Sequence, residues 1–182
     1  MIWVLLVLVV LVVLWGVTTY NRLVSQREIA RNALGQIAAQ IESRWDAVSN
    51  LIEATKQYSA HEAETLENIT QNRANIGAGR TTDVETLEQE ENRFQGVLGR
   101  LIAVAENYPD LKASQVYTRS MDAVDKYENN VRQSRMLYND SATKLNRSVQ
   151  QIPTSIIAGI GGFTQMPYFE ASEGKQDMPS WN

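Results

Sequence analysis

Side chains able to do acid–base or metal chemistry are few in this chain, and their spacing limits what they can do. The one histidine, His61, stands in Ser59-Ala60-His61-Glu62. A carboxylate-bridged metal pair in a helical bundle draws on two Glu-x-x-His motifs. Here there is a single histidine, and the residue three before it is Tyr58. His61 therefore reads as a helix-start residue or a hydrogen-bonding partner. Glu85, Glu88, Glu90 and Glu91 crowd together, but on a helix they spread around the axis and read as a solvated face near its N-terminus. No nucleophile elbow is present, and Gly77-Ala78-Gly79 lacks the strand and spacing of a phosphate-binding loop. Tyr117, Tyr127 and Tyr138 fall on one helix, where core packing with an edge-facing hydroxyl is the simpler reading than redox work. Asn68, Asn139 and Asn146 each begin a glycosylation-type tripeptide, a pattern common by chance. With no cysteine, disulfides, thiol catalysis, Cys-linked lipid and Cys-ligated metals are all excluded. The expectation is a protein that is not an enzyme, with no catalytic, cofactor-binding or metal-ligating residue.

The elements around these residues must then carry the function. A formal net charge of -4 and a pI near 5.1 give no basic footprint for nucleic acid. Sparse Pro and Gly suit helices, and 182 residues allow one domain with an appendage. The chain opens MIWVLLVLVVLVVLWGVTTYNRLVSQRE, with no charged side chain before Arg22. About twenty residues at ~1.5 Å each reach roughly 30 Å, the hydrocarbon thickness of a bilayer. A secretory signal needs a basic start and a small-x-small cleavage site, and neither is present. Trp3, Trp15 and Tyr20 mark the two ends, where amphipathic aromatics favour the headgroup layer. The stretch 1–20 is thus expected to be a retained, single-pass transmembrane anchor, with the lipid bilayer as partner. Arg22, Arg27 and Arg31 follow it against one acid, Glu28. The positive-inside rule places the N-terminus outside and the bundle in the cytoplasm, a periplasmic bundle being the alternative.

Beyond the anchor the apolar positions recur three and four apart: Tyr20, Leu23, Ala30, Leu34, Ile37, Ile41, Val48 and Leu51. This spacing predicts an amphipathic helix running out of the span as far as Tyr58, with Arg31, Gln36, Gln40, Glu42 and Arg44 on its polar face. A second helix is expected from Ser59–Glu62 to Ile76, with a flexible link at Gly77–Gly79. Thr82 with Glu85 forms a capping-box pattern for a third, carrying Val84, Leu87, Phe94, Leu98, Leu101 and Ala105. Pro109 stops it at Tyr108. Asp110 and Ser114 are candidate caps for a fourth, whose stripe is Tyr117, Val124, Tyr127, Val131, Tyr138, Leu145, Val149 and Ile152, ended by Pro153. Short connections make neighbours antiparallel. The expected fold is all-α: an N-terminal transmembrane helix continuing into an antiparallel up-and-down bundle of about four helices over 21–153. Residues 154–182 form a Gly/aromatic segment and a polar, mobile tail. Ile156, Ile157, Ile160, Phe163, Tyr168 and Phe169 make that segment sticky, and they are the candidate surface for self-association or partner contact.

Several blocks resemble the LemA family of bacterial membrane proteins. They are Tyr20-Asn21-Arg22-Leu23-Val24, Asn50-Leu51-Ile52-Glu53 with Tyr58 and His61-Glu62, and Ala105-Glu106-Asn107-Tyr108-Pro109-Asp110-Leu111-Lys112-Ala113. Tyr138-Asn139-Asp140 and an ending of Pro153, Ile156-Ile157-Ala158, Gly162-Phe163 and Tyr168-Phe169-Glu170 complete the set. Ser49 stands where the family usually has Pro, and Ile152 and Ser155 replace its more usual Phe and Asn. The resemblance implies a bacterial single-span inner-membrane protein with an antiparallel bundle and no catalytic residues. Tyr108-Pro109-Asp110-Leu111 reads as a helix–helix corner in which Pro109 breaks, Asp110 caps and Leu111 closes over the core. Asn21, Asn107 and Asn139 could tie neighbouring helices through their amides. Together these features predict a membrane-anchored scaffold acting as a homo-oligomer, or alternatively as an adaptor to another membrane protein such as a protease or sensor.

Overall fold

The computed structural model describes residues 1–58 and 83–169. The expected second helix, His61, the Gly77–Gly79 link, Thr82 and the polar tail lie outside the described residues. Among the described residues five helices form: α1 (Ile2–Thr55), α2 (Val84–Asn107), α3 (Pro109–Lys112), α4 (Gln115–Gln150) and α5 (Thr154–Ile160). Among the described residues there is no strand. The fold is all-α, with one long, initially apolar helix followed by further helices, as a helical bundle requires.

Helix α1 is unbroken from the apolar start into the amphipathic stretch, because no proline interrupts it. Its opening is long and apolar enough to cross a membrane, and none of it is buried by the rest of the protein. Thr19 and Leu23 are its first buried residues. Helix α2 begins behind Asp83, whose carboxylate accepts from the Thr86 N–H at 2.7 Å. The cap is therefore Asp83, one residue later than the Thr82 box predicts. The hydrogen bonds to Thr86 hold the Asp83 carboxyl below its usual pKa. At the corner, Pro109 takes the first helical position of α3, where its missing N–H is harmless, and Leu111 is fully buried. Asp110 makes no side-chain cap. Ser114 does, its hydroxyl accepting from the Tyr117 N–H at 3.1 Å ahead of α4.

The chain divides into two compact units. One comprises Met1–Ala30 with Tyr138–Asn182, the other Arg31–Leu137. In the second, Ile37, Ile41, Trp45, Val48, Leu51, Phe94, Val97, Leu101, Leu111, Val124 and Val131 are buried. In the first, Leu23, Leu145, Ala158 and Phe163 form a core, with Val24, Val149, Ile157 and Met166 against it. Ile152, assigned by periodicity to the α4 stripe, is 85% exposed, because α4 has ended at Gln150.

Candidate functional site

Within the unit formed by residues 1–30 and 138–182, α4 presents Tyr138, Asn139, Ala142, Leu145, Asn146 and Val149 along one face. These positions recur at three and four, as a helix stripe must. Asparagine is a poor choice for a helix interior unless its amide has work to do. Here both amides do. Asn146 donates to the Met166 carbonyl and accepts from the Met166 N–H, both at 2.8 Å. Asn139 does the same for Phe169, with both bonds at 3.0 Å. Between them the Tyr138 hydroxyl donates to the Pro167 carbonyl at 2.8 Å. Residues 163–169, a strap with no secondary structure of its own, thus find backbone partners in side chains of α4.

Aromatic edges fix the strap's ends. Phe163 meets Tyr20 edge-on at 5.5 Å, and Arg27 lies over the same ring at 4.9 Å. Phe169 meets Tyr138 edge-on at 5.3 Å. Burial, with Tyr168 nearby, pushes the Tyr138 phenol up to about 12. The start of the strap follows from a glycine stop. Gly162 has φ +66°, Gly161 N–H reaches the Ile157 carbonyl and Phe163 N–H reaches that of Ala158, closing α5 in the left-handed turn glycine allows. At the other end of α5, the Thr154 hydroxyl lies 2.7 Å from the carbonyls of Ser148 and Gln151.

The six residues of the candidate interaction surface therefore separate. Phe163 and Phe169 are buried at 5%, Ile157 is half-buried on the inner side of α5, and Tyr168 is exposed. Ile156 and Ile160 face outward together at 59% and 82% exposure. Of the motif residues, Tyr20, Tyr138 and Asn139 join this site, while Pro153 caps α5. Asn21 and Asn107 are exposed. Asn139 makes its tie to strap backbone rather than to another helix. Sequence reasoning missed Asn146, and the signal was available: it lies seven residues from Asn139 on the same helical face.

In the other unit, Arg44 belongs to the core rather than to the polar face, its side chain wholly buried. Its guanidinium donates to Glu91 at 2.6 Å and lies 4.0 Å from the centre of the Phe94 ring. Phe94 also meets Trp45 edge-on at 5.2 Å. Arg135 reaches the same carboxylate oxygen at 3.4 Å. Glu91 is thus turned inward, whereas Glu85 is exposed. Burial would raise the Glu91 carboxyl. The Arg44 bond and charge, the Gln95 amide and the Arg135 charge outweigh it and hold the carboxyl below its usual value. A shallow groove lined by Ala47, Asn50, Val116, Arg119, Ser120 and Ala123 brings together no nucleophile and base. Among the described residues no three His, Cys, Asp or Glu side chains converge as metal ligands would.

The family model that matches this chain is the LemA family, over residues 33–181. Protein LemA of Metamycoplasma hominis is 29% identical, across 84% of this chain and 69% of that protein. Magnetosome protein MamQ of Magnetospirillum gryphiswaldense is 24% identical, across 82% of this chain. Magnetosome protein MamQ 2 of Paramagnetospirillum magneticum is 24% identical across 83%. The chain spans 64% of the length of each of these MamQ proteins.

Proposed function

The chain belongs to the LemA family, and on that premise we propose that it is a non-enzymatic, membrane-anchored helical protein acting by self-assembly and protein contacts in the bacterial envelope. One observation carries the reading. The apolar start of α1 is bare, while Asn139 and Asn146 hold the strap and Arg44 pairs with Glu91 through one guanidinium nitrogen. A catalytic site keeps a nucleophile and base aimed at a vacancy for substrate; these amides and this ion pair bond to their own chain. Anchoring puts every copy in one plane, which raises effective concentration and favours assembly through modest contacts. Exposed Ile102, Val116, Met136 and Leu137 on the unit formed by 31–137 supply apolar area for such contacts. The excess of Arg22, Arg27 and Arg31 after the span supports an N-terminus outside and a cytoplasmic bundle.

The test is the mass of the particle in mild detergent and in lipid nanodiscs, read by light scattering. An oligomer is expected in both. A monomer in both overturns assembly, and co-purification in fixed ratio with a different chain replaces it with an adaptor role.

A further inference from the structure

The exposed isoleucines beside the strap lie at a depth that only one surrounding medium suits. Ile157 of α5 approaches α1 at Gly16: a Cβ built there would lie 3.7 Å from the Ile157 side chain. Gly16 precedes the first charge, Arg22, by six residues, or ~9 Å of helix rise toward the apolar end. Phe163 contacts Tyr20 on the uncharged side of Arg22 and Arg27 beyond it, and Ala158 of α5 shares a core with Leu23. α5 therefore lies across the level at which the span ends.

The sequence of this part agrees with that depth. From Ser148 to Phe169 there is no charged side chain. Ile156 and Ile160, one helical turn apart, and Ile152 just before α5 are exposed, while Ala158 is buried and Ile157 half-buried on the opposite side. Exposed Arg22 and Arg147 flank these uncharged stretches in sequence, as cations facing headgroups would.

We infer that α5 is a second membrane-contacting element: Ile156 and Ile160, with Ile152, insert into the acyl–headgroup boundary of the bilayer that α1 crosses. This rests on the anchor reading of α1, and the experiment separates the two. The chain has no cysteine, so nitroxide labels go on single Ile156→Cys, Ile160→Cys, Leu8→Cys and Gln133→Cys variants. Each is reconstituted in phosphatidylcholine–phosphatidylglycerol vesicles, and collision with oxygen and with a water-soluble nickel chelate is compared. The oxygen-to-nickel ratio at 156 and 160 is expected to exceed that at 133 several-fold and to approach that at 8. A water-like ratio at 156 and 160 with a lipid-like ratio at 8 overturns the inference and leaves the anchor standing. Exclusion of both reagents at 156 and 160 also overturns it, because a protein then covers the face. A label at 8 that is not in lipid removes both readings together.

Discussion

Arg44 and Glu91 show how much one buried pair can decide. Arg44 is wholly buried and its guanidinium faces a ring on one side, so Glu91 is the group that makes its charge tolerable. Removing one partner of such a pair leaves an uncompensated charge, which costs about 3–5 kcal/mol. Glu91→Ala is therefore expected to lower unfolding stability by that amount in a denaturant titration in micelles. Glu85→Ala, at an exposed site in the same helix, is expected to change it by no more than ~0.5 kcal/mol. Equal effects at the two positions would remove the pair's structural role. Nothing in the residue types separates these two glutamates. Their depth depends on what α1 places opposite them, and periodicity assigns a guanidinium to the polar face by default.

Among the elements, the long helices were legible because their apolar residues recur at three and four, and the stop at Tyr108 because Pro109 follows it; α4 ends at Gln150, short of the Ile152 that the stripe before Pro153 includes. The corner was legible in outline: Pro109 and Leu111 behave as read, but the cap is Ser114 rather than Asp110. The candidate surface was legible as apolar and not as divided. Which aromatics turn inward depends on the Asn139 and Asn146 amides on another element, and no pattern within 154–169 reports that. Glycines test the division. A Cβ at Gly161 would lie 2.6 Å from the Phe163 ring and 3.0 Å from Tyr20, so Gly161→Ala must displace that edge-to-face contact, worth about 0.5–1.5 kcal/mol. Gly159 has open space around it, and alanine there gains up to ~1 kcal/mol of helix preference. Amide exchange over 163–169 is expected to accelerate in Gly161→Ala and to hold or slow in Gly159→Ala. The reverse order would show that the strap is not seated on Tyr20.

For the whole molecule, two titrating groups bracket the range of full stability. Glu91 has its folded pKa below its ordinary value of 4.5. Its contribution is complete above that value and is lost as pH falls through the lower folded one. Tyr138 moves from 10.0 to about 12. Its contribution is complete below pH 10 and is lost as pH rises toward 12. A plateau with an acid limb and an alkaline limb is expected in melting temperature against pH. Glu91→Gln should flatten the first, and Tyr138→Phe the second. An unchanged alkaline limb in Tyr138→Phe would assign it to another group. The all-α architecture, the apolar opening helix and the family were each readable in the sequence, because they rest on composition and on motifs spread along the chain.

The paired amides also set a length. Asn139 and Asn146 are separated by two helical turns, ~10.5 Å of rise, and Met166 and Phe169 by three extended residues, ~10 Å. The two spacings match in length at any register, so the register is chosen by chemistry. Shifting the register by one residue toward the strap's C-terminus would set Pro167, which has no N–H, against the Asn146 oxygen that now accepts from Met166, so the proline inside the strap rejects that neighbouring setting.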